Sequence, residues 1–102
     1  FYMDTVTLKT ILIEEMQGYA GEGLNAHSVL TQNESEATYT VIDFATVRGK
    51  KIVATVLVTR IVDNQIIIDV DKNNKLLVDA LTARGVPDNQ IMRAYLQKQV
   101  EA

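Results

Sequence analysis

The chain contains no cysteine. Disulfides, thiolate metal sites and a thiol nucleophile are therefore excluded. Small secreted domains commonly lean on disulfides, so a reducing cytoplasm is the expected location. Tryptophan is also missing, and there is one proline, Pro87, and one histidine, His27. Metal sites need a cluster of ligands, and a lone His without Cys offers none, so His27 reads as structural or exposed. The longest apolar runs, 52–58 and 66–68, fall far short of the roughly 20 residues that cross a bilayer. No basic stretch followed by an apolar run opens the chain, as a signal peptide would require.

A basic excess is lacking as well. The net charge is −3, from 10 basic and 13 acidic residues. Residues 1–36 hold one Lys against six acids, residues 37–72 five basic against four acidic, and residues 73–102 four against three. Proteins that grip a nucleic-acid backbone concentrate Lys and Arg on one face, so this distribution argues against direct DNA binding. Catalytic signatures are absent too: there is no Walker A pattern, GxGxxG, GxSxG or HExxH. Ser28 and Ser35 have no triad arrangement in view. No catalytic, cofactor-binding or metal-binding residue is assigned, and no enzyme activity is expected.

What is present is ordinary globular material. The 102 residues are 47% hydrophobic and 23% charged, enough for one complete domain with a single core. Residues 5–18 read as an amphipathic helix, because Leu8, Ile11, Leu12, Met16 and Tyr19 form one stripe of a 3.6-residue period. Asp4 or Thr5 can cap it, and Gly18, Gly21 and Gly23 end it. From His27 the period becomes two. Strands are expected over 27–32, 38–47, 51–62 and 65–70, the second and third rich in β-branched residues. The connections are short: Asn33–Glu36, Arg48-Gly49-Lys50 and Asp63-Asn64. Turns this short make neighbours antiparallel, giving a four-stranded meander. Two helices follow. The first carries Leu76, Leu77, Ala80 and Leu81, with Asn73 or Asn74 as N-cap and Gly85 and Pro87 as its stop. Asp88 opens the second, with Ile91, Met92, Tyr95 and Leu96 on its inner face. The expected fold class is α+β: an N-terminal helix, a four-stranded antiparallel β-meander and two C-terminal helices.

The strand at 51–62 does not alternate cleanly. Strict period two places Val53 and Leu57 on one face, and Ile52, Val56 and Val58 on the other. Three short helices can hardly cover both faces of four strands, so a homo-oligomer is expected.

Period two also puts Asp69 and Asp71 on one face. Together with Arg60 they are the candidate interaction surface. Two carboxylates on one face could hold Mg²⁺ or Ca²⁺ or perform acid–base work. The plainer reading is that they are solvated or pair with Arg60 across the hairpin. Arg48, Lys50 and Lys51 around Gly49 could touch a phosphate, but more often such residues keep a hairpin tip soluble. Glu14 and Glu15 read as a solvated helix face with one inward edge.

The order of elements from Thr38 to Tyr95 resembles the XisI family, the fdxN element excision controlling factors. Tyr39, Gly49, Lys51, Asp63, Ile66, Ile68, Asp71, Leu81, Gly85, Pro87 and Ile91 fall in matching places. Met3-Asp4 and Tyr19-Ala20 match the family's opening. These positions are structural punctuation rather than chemistry. Several family features are absent: tryptophans fall where Phe44 or Ala45 and Ile67 stand, a Thr-Glu pair is replaced by Asn73-Asn74, the histidines of the long strand are missing near Thr59, and the family's C-terminal tail beyond the last helix is missing. The resemblance implies an accessory, regulatory role in excision of a DNA element, by protein–protein interaction. It also implies a possible partner, an XisH-like, nuclease-related protein. The alternatives are a small-molecule or metal-binding protein or enzyme using Asp69, Asp71 and Arg60 in a sheet–helix groove, and direct DNA binding in recombination.

Overall fold

The computed structural model describes residues 2–97. The chain opens with helix α1, Thr5–Gln17, whose first turn is closed by Asp4: its carboxylate accepts from the Thr7 N–H at 2.7 Å. That bond satisfies one of the backbone donors a helix start leaves free, and it holds the Asp4 carboxyl below its ordinary pKa. The predicted stripe is the buried one, with Leu8, Leu12 and Met16 fully enclosed.

Six strands follow in sequential order: β1 Gly21–Gly23, β2 Ala26–Asn33, β3 Thr38–Val47, β4 Lys50–Val62, β5 Gln65–Asp71 and β6 Ile91–Arg93. The expected four-stranded meander is the centre of this sheet, β2–β5, but the sheet is larger and mixed. β1 adds an antiparallel edge beside Ala26–Ser28, and β6 lies parallel to β5 with Ile66 opposite Ile91. A Gly-Glu-Gly strand carries no side-chain pattern to read, so by sequence its glycines look like a helix end.

The expected final helix does not form. Asp88–Gln90 and Ala94–Leu96 are single 3-10 turns on either side of β6. Met92 and Leu96, assigned to an inner helical face, are exposed. A segment this short gains little from helical hydrogen bonds alone, whereas pairing with β5 satisfies the backbone of an otherwise bare edge. The parallel pairing requires a crossover, supplied by helix α2, Leu77–Ala83. Asn73 and Asn74 do not cap α2. The N-cap position is Leu76, which makes no side-chain cap bond, and Asp71, six residues upstream, instead accepts from the Leu77 N–H at 2.8 Å.

The expected two-residue turn Asp63-Asn64 is present, and the expected Arg48-Gly49-Lys50 turn narrows to Arg48-Gly49, because Lys50 already begins β4. Arg48-Gly49 and Asp63-Asn64 each place two successive residues at positive φ, the backbone that matches the twist of an antiparallel pair.

Helices α1 and α2 lie on one face of the sheet. Their apolar residues pack with Tyr39, Val41, Leu57, Ile61, Ile66 and Ile68 to form the core. Which strand residues reach that face is decided by two β-bulges. Val41 pairs with Leu57 but Ile42 with Thr55, so Val56 is an extra residue in β4. Val58 pairs with Val70 but Thr59 with Ile68, so Asp69 is an extra residue in β5. Each bulge resets the alternation. Leu57, Thr59 and Ile61 therefore face the helices, while Val53, Thr55, Val58 and Arg60 face away. The sequence expectation that Val53 and Leu57 share a face fails for this reason.

One buried polar side chain ties the fold together. Gln90 is fully enclosed; its Oε1 accepts from the Met3 N–H at 2.8 Å, and its Nε2 donates to the Met3 and Asn64 carbonyls at 2.9 and 3.0 Å. Asn64 Nδ2 donates to the same Met3 carbonyl at 2.8 Å. The segment before α1, the β4–β5 turn and the entry to β6 are joined at this point.

Candidate functional site

The second bulge separates the expected trio. Arg60 and Asp69 meet on the helix-free face: Arg60 Nε donates to Asp69 Oδ2 at 2.6 Å and a terminal nitrogen donates to Oδ1 at 3.1 Å. This fork pairing, with the adjacent charge, raises the Arg60 pKa above its ordinary value. Asp71 lies opposite Leu57 on the helix face. Besides the Leu77 N–H, its carboxylate accepts from the Asn73 N–H and Nδ2 at 3.1 and 2.9 Å. Two carboxylates on opposite faces cannot share a cation or a substrate, so the metal and acid–base arrangement built on Asp69 with Asp71 is not formed. Among the described residues no group of three or more His, Asp and Glu converges to hold a metal ion.

The helix-free face nevertheless has a defined composition. At one end is a concavity of about 610 Å³, lined by Arg60, Val62, Ile67, Asp69, Met92 and Tyr95 among others. The Tyr95 hydroxyl is buried and has no hydrogen-bond partner among the described residues. At the other end a second concavity, of about 600 Å³, is lined by Glu22, His27, Phe44, Lys51 and Val53 among others. Here the His27 ring stacks on Phe44, with centroids 5.0 Å apart and planes 14° from parallel. Cross-strand pairing makes this contact, since His27 is directly opposite Phe44. Between the two ends run Ile42, Thr55 and Val58. Val53 is 64% exposed and Val62 and Met92 about 40%, so the apolar band is open to its surroundings.

Charge on this face is balanced at each end: Glu22 with Lys51, and Asp69 with Arg60. The helix layer differs. Arg84 forks across Glu14 and Glu15 at 2.8 and 2.7 Å, and Lys9 pairs with Glu34. Glu14 is exposed and Glu15 half-buried, as expected of a solvated face with one inward edge, and both are held by Arg84, 70 and 69 positions away. The basic cluster Arg48, Lys50 and Lys51 sits at the exposed tip of the β3–β4 hairpin.

Gln90 and the unpartnered Tyr95 hydroxyl were not legible beforehand, because each depends on β6 lying beside β5. The His27–Phe44 stack was recoverable in principle, since the strand boundaries and the Asn33–Glu36 turn fix the pairing of β2 with β3.

Comparison with known proteins settles the lineage of this architecture. The family model for the XisI protein matches residues 3–102. The chain belongs to the XisI family. Among solved structures, the fdxN element excision controlling factor XisI from Anabaena variabilis superposes with a TM-score of 0.71 at 19% identity, over 92% of this chain and 95% of that one. A XisI-like protein from the same organism gives 0.70 at 17% identity, over 90% and 83%. At these identities the likeness speaks for the fold alone. No curated protein matches the chain. Among the described residues no helix is long and apolar enough to cross a membrane.

Proposed function

We propose that this XisI protein is a non-enzymatic accessory regulator that works by contacting another protein through its helix-free sheet face. One observation carries this reading: an exposed apolar strip that includes Val29, Val53 and Val62 on the side of the sheet the helices leave open, with an acid and a base at each end, Glu22 and Lys51 at one and the paired Asp69 and Arg60 at the other. Exposed apolar area of this kind, rimmed by polar groups, is characteristic of protein contact surfaces. The family name supports a controlling role in excision, and the resemblance nominates an XisH-like protein as the partner.

Competing chemistry has less support. The Asp69 carboxylate is occupied by Arg60, and Asp71 is spent on the start of α2, so neither is free as a base or ligand. The face carries no net positive charge to hold a nucleic-acid backbone.

Co-purification with an XisH-like protein tests the reading. Retention of that partner by the native chain, and its loss on Val58→Asp with the far-ultraviolet circular dichroism unchanged, is the expected outcome. Hydrolytic activity in the isolated chain, or salt-sensitive retention on DNA, would overturn it.

A further inference from the structure

We infer that the protein seated on the helix-free face is a second copy of this chain, packed face to face so that two sheets enclose one apolar layer. The inference rests on reading that face as a protein contact surface and names a second copy as its occupant when the XisH-like partner is absent.

Area is the first argument. Strands β2–β5, at about 3.3 Å per residue and about 4.8 Å between strands, present a flat area of about 600 Å². A surface studded with side chains exposes more than its flat projection, and stable specific interfaces bury about 800 Å² on each partner. The face is therefore large enough for a standard two-fold interface without help from loops.

Charge is the second. The whole chain is acidic, at −3, so two copies repel at a distance. On this face the repulsion is absent, because Glu22 is offset by Lys51 and Asp69 by Arg60. A net acidic or net basic partner gains nothing from such a face, whereas a copy of the same face meets no excess of like charge.

Symmetry is the third. A two-fold contact uses one patch on both partners, so the patch must suit itself. A two-fold axis along the β3–β4 seam lays β3 of one copy over β4 of the other. That brings a row with Ile42 and Phe44 against a row with Val53, Thr55 and Val58, and bulky positions meet smaller ones. Two sheets pack about 10 Å apart with interdigitating side chains, and these residues have that reach.

The test is size-exclusion chromatography with light scattering on the full chain over a wide concentration range, alongside Val53→Asp, Val58→Asp and the control Val6→Asp. Val6 is exposed on α1, away from the face. The expected result is a dimer for the native chain and the control. The midpoint of dissociation should move at least about tenfold higher in concentration for each face variant, with circular dichroism unchanged. Because the chain has no cysteine, an equimolar mixture of Val53→Cys chains and Phe44→Cys chains gives a second reading: with the two cysteines on separate copies, oxidation should trap a covalent dimer that contains one chain of each kind. A monomeric native chain would overturn the second-copy inference while leaving the face open to a heterologous protein, which the co-purification above detects separately. A dimer that persists in both face variants would overturn the inference and also move the contact surface elsewhere.

Discussion

The two faces of the β2–β5 meander are made from similar residues and have different fates. On one, Leu57, Ile66 and Ile68 are fully enclosed beneath α1 and α2. On the other, Val29, Val53 and Val62 are exposed although they too are apolar. β-Branched content therefore reports that a segment is a strand, not which of its faces will be covered. Coverage is set by where the helices land, and that depends on two bulges and a parallel edge strand.

Breaking the covered face should have the largest effect. Leu57→Ala should lower unfolding stability by about 3 kcal/mol, since it leaves a cavity among atoms that cannot fully collapse. Val53→Ala on the bare face should change it by less than about 0.5 kcal/mol in the isolated chain. Paired urea titrations measure both. Equal effects would mean that the two faces are equally buried in solution, as they would be in a tight dimer at the concentration used, so the measurement also sharpens the assembly question.

How far the sequence carried the fold follows from the same comparison. Helix α1 and strands β2–β5 were legible within a residue or two, because each has a long period or a turn with defined backbone chemistry. β1 and β6 were not. Gly21–Gly23 has no alternation to detect, and Ile91, Met92, Tyr95 and Leu96 fit a helical stripe better than a three-residue strand. Of the candidate surface, the Arg60–Asp69 pair was legible as a cross-strand neighbour. Asp71 was misplaced because nothing in the residue types announces the bulge at Asp69.

Gln90→Ala should follow in size, at about 2 kcal/mol in the same titration, because it leaves the Met3 N–H and the Asn64 carbonyl without their partner in a closed space. Next come the two aspartates. Asp71→Ala removes the acceptor of the Leu77 N–H at the start of α2 and should cost about 1 kcal/mol. Asp69→Ala removes a partly exposed ion pair and should cost less than about 1 kcal/mol. The opposite ranking would mean that the Arg60–Asp69 pair carries the fold and Asp71 does not.

The smallest effect is spectroscopic. Burial, reinforced by nearby Asp71, Glu15 and Asp79, pushes the Tyr19 hydroxyl up to about 12. That hydroxyl donates to the Lys75 carbonyl at 2.7 Å, fastening the end of α1 to the entry of α2. Since the folded value lies above the unfolded one, the stabilisation is complete below pH 10 and is lost as pH rises from about 10 to about 12. An absorbance titration should show a tyrosine step near pH 12 that disappears in Tyr19→Phe.

The bulges have a consequence for changes in chain length. Elsewhere in β4 or β5, removing one residue would turn every later side chain to the wrong face and expose part of the core. At Val56 and Asp69 the outcome reverses. Without either residue the strand regains unbroken alternation, with Thr55 outward and Leu57 inward in β4, and Ile68 inward and Val70 outward in β5. These two positions are where the sheet can lose a residue and keep its faces, so this chain carries two built-in joints at which a change of length leaves the core in place.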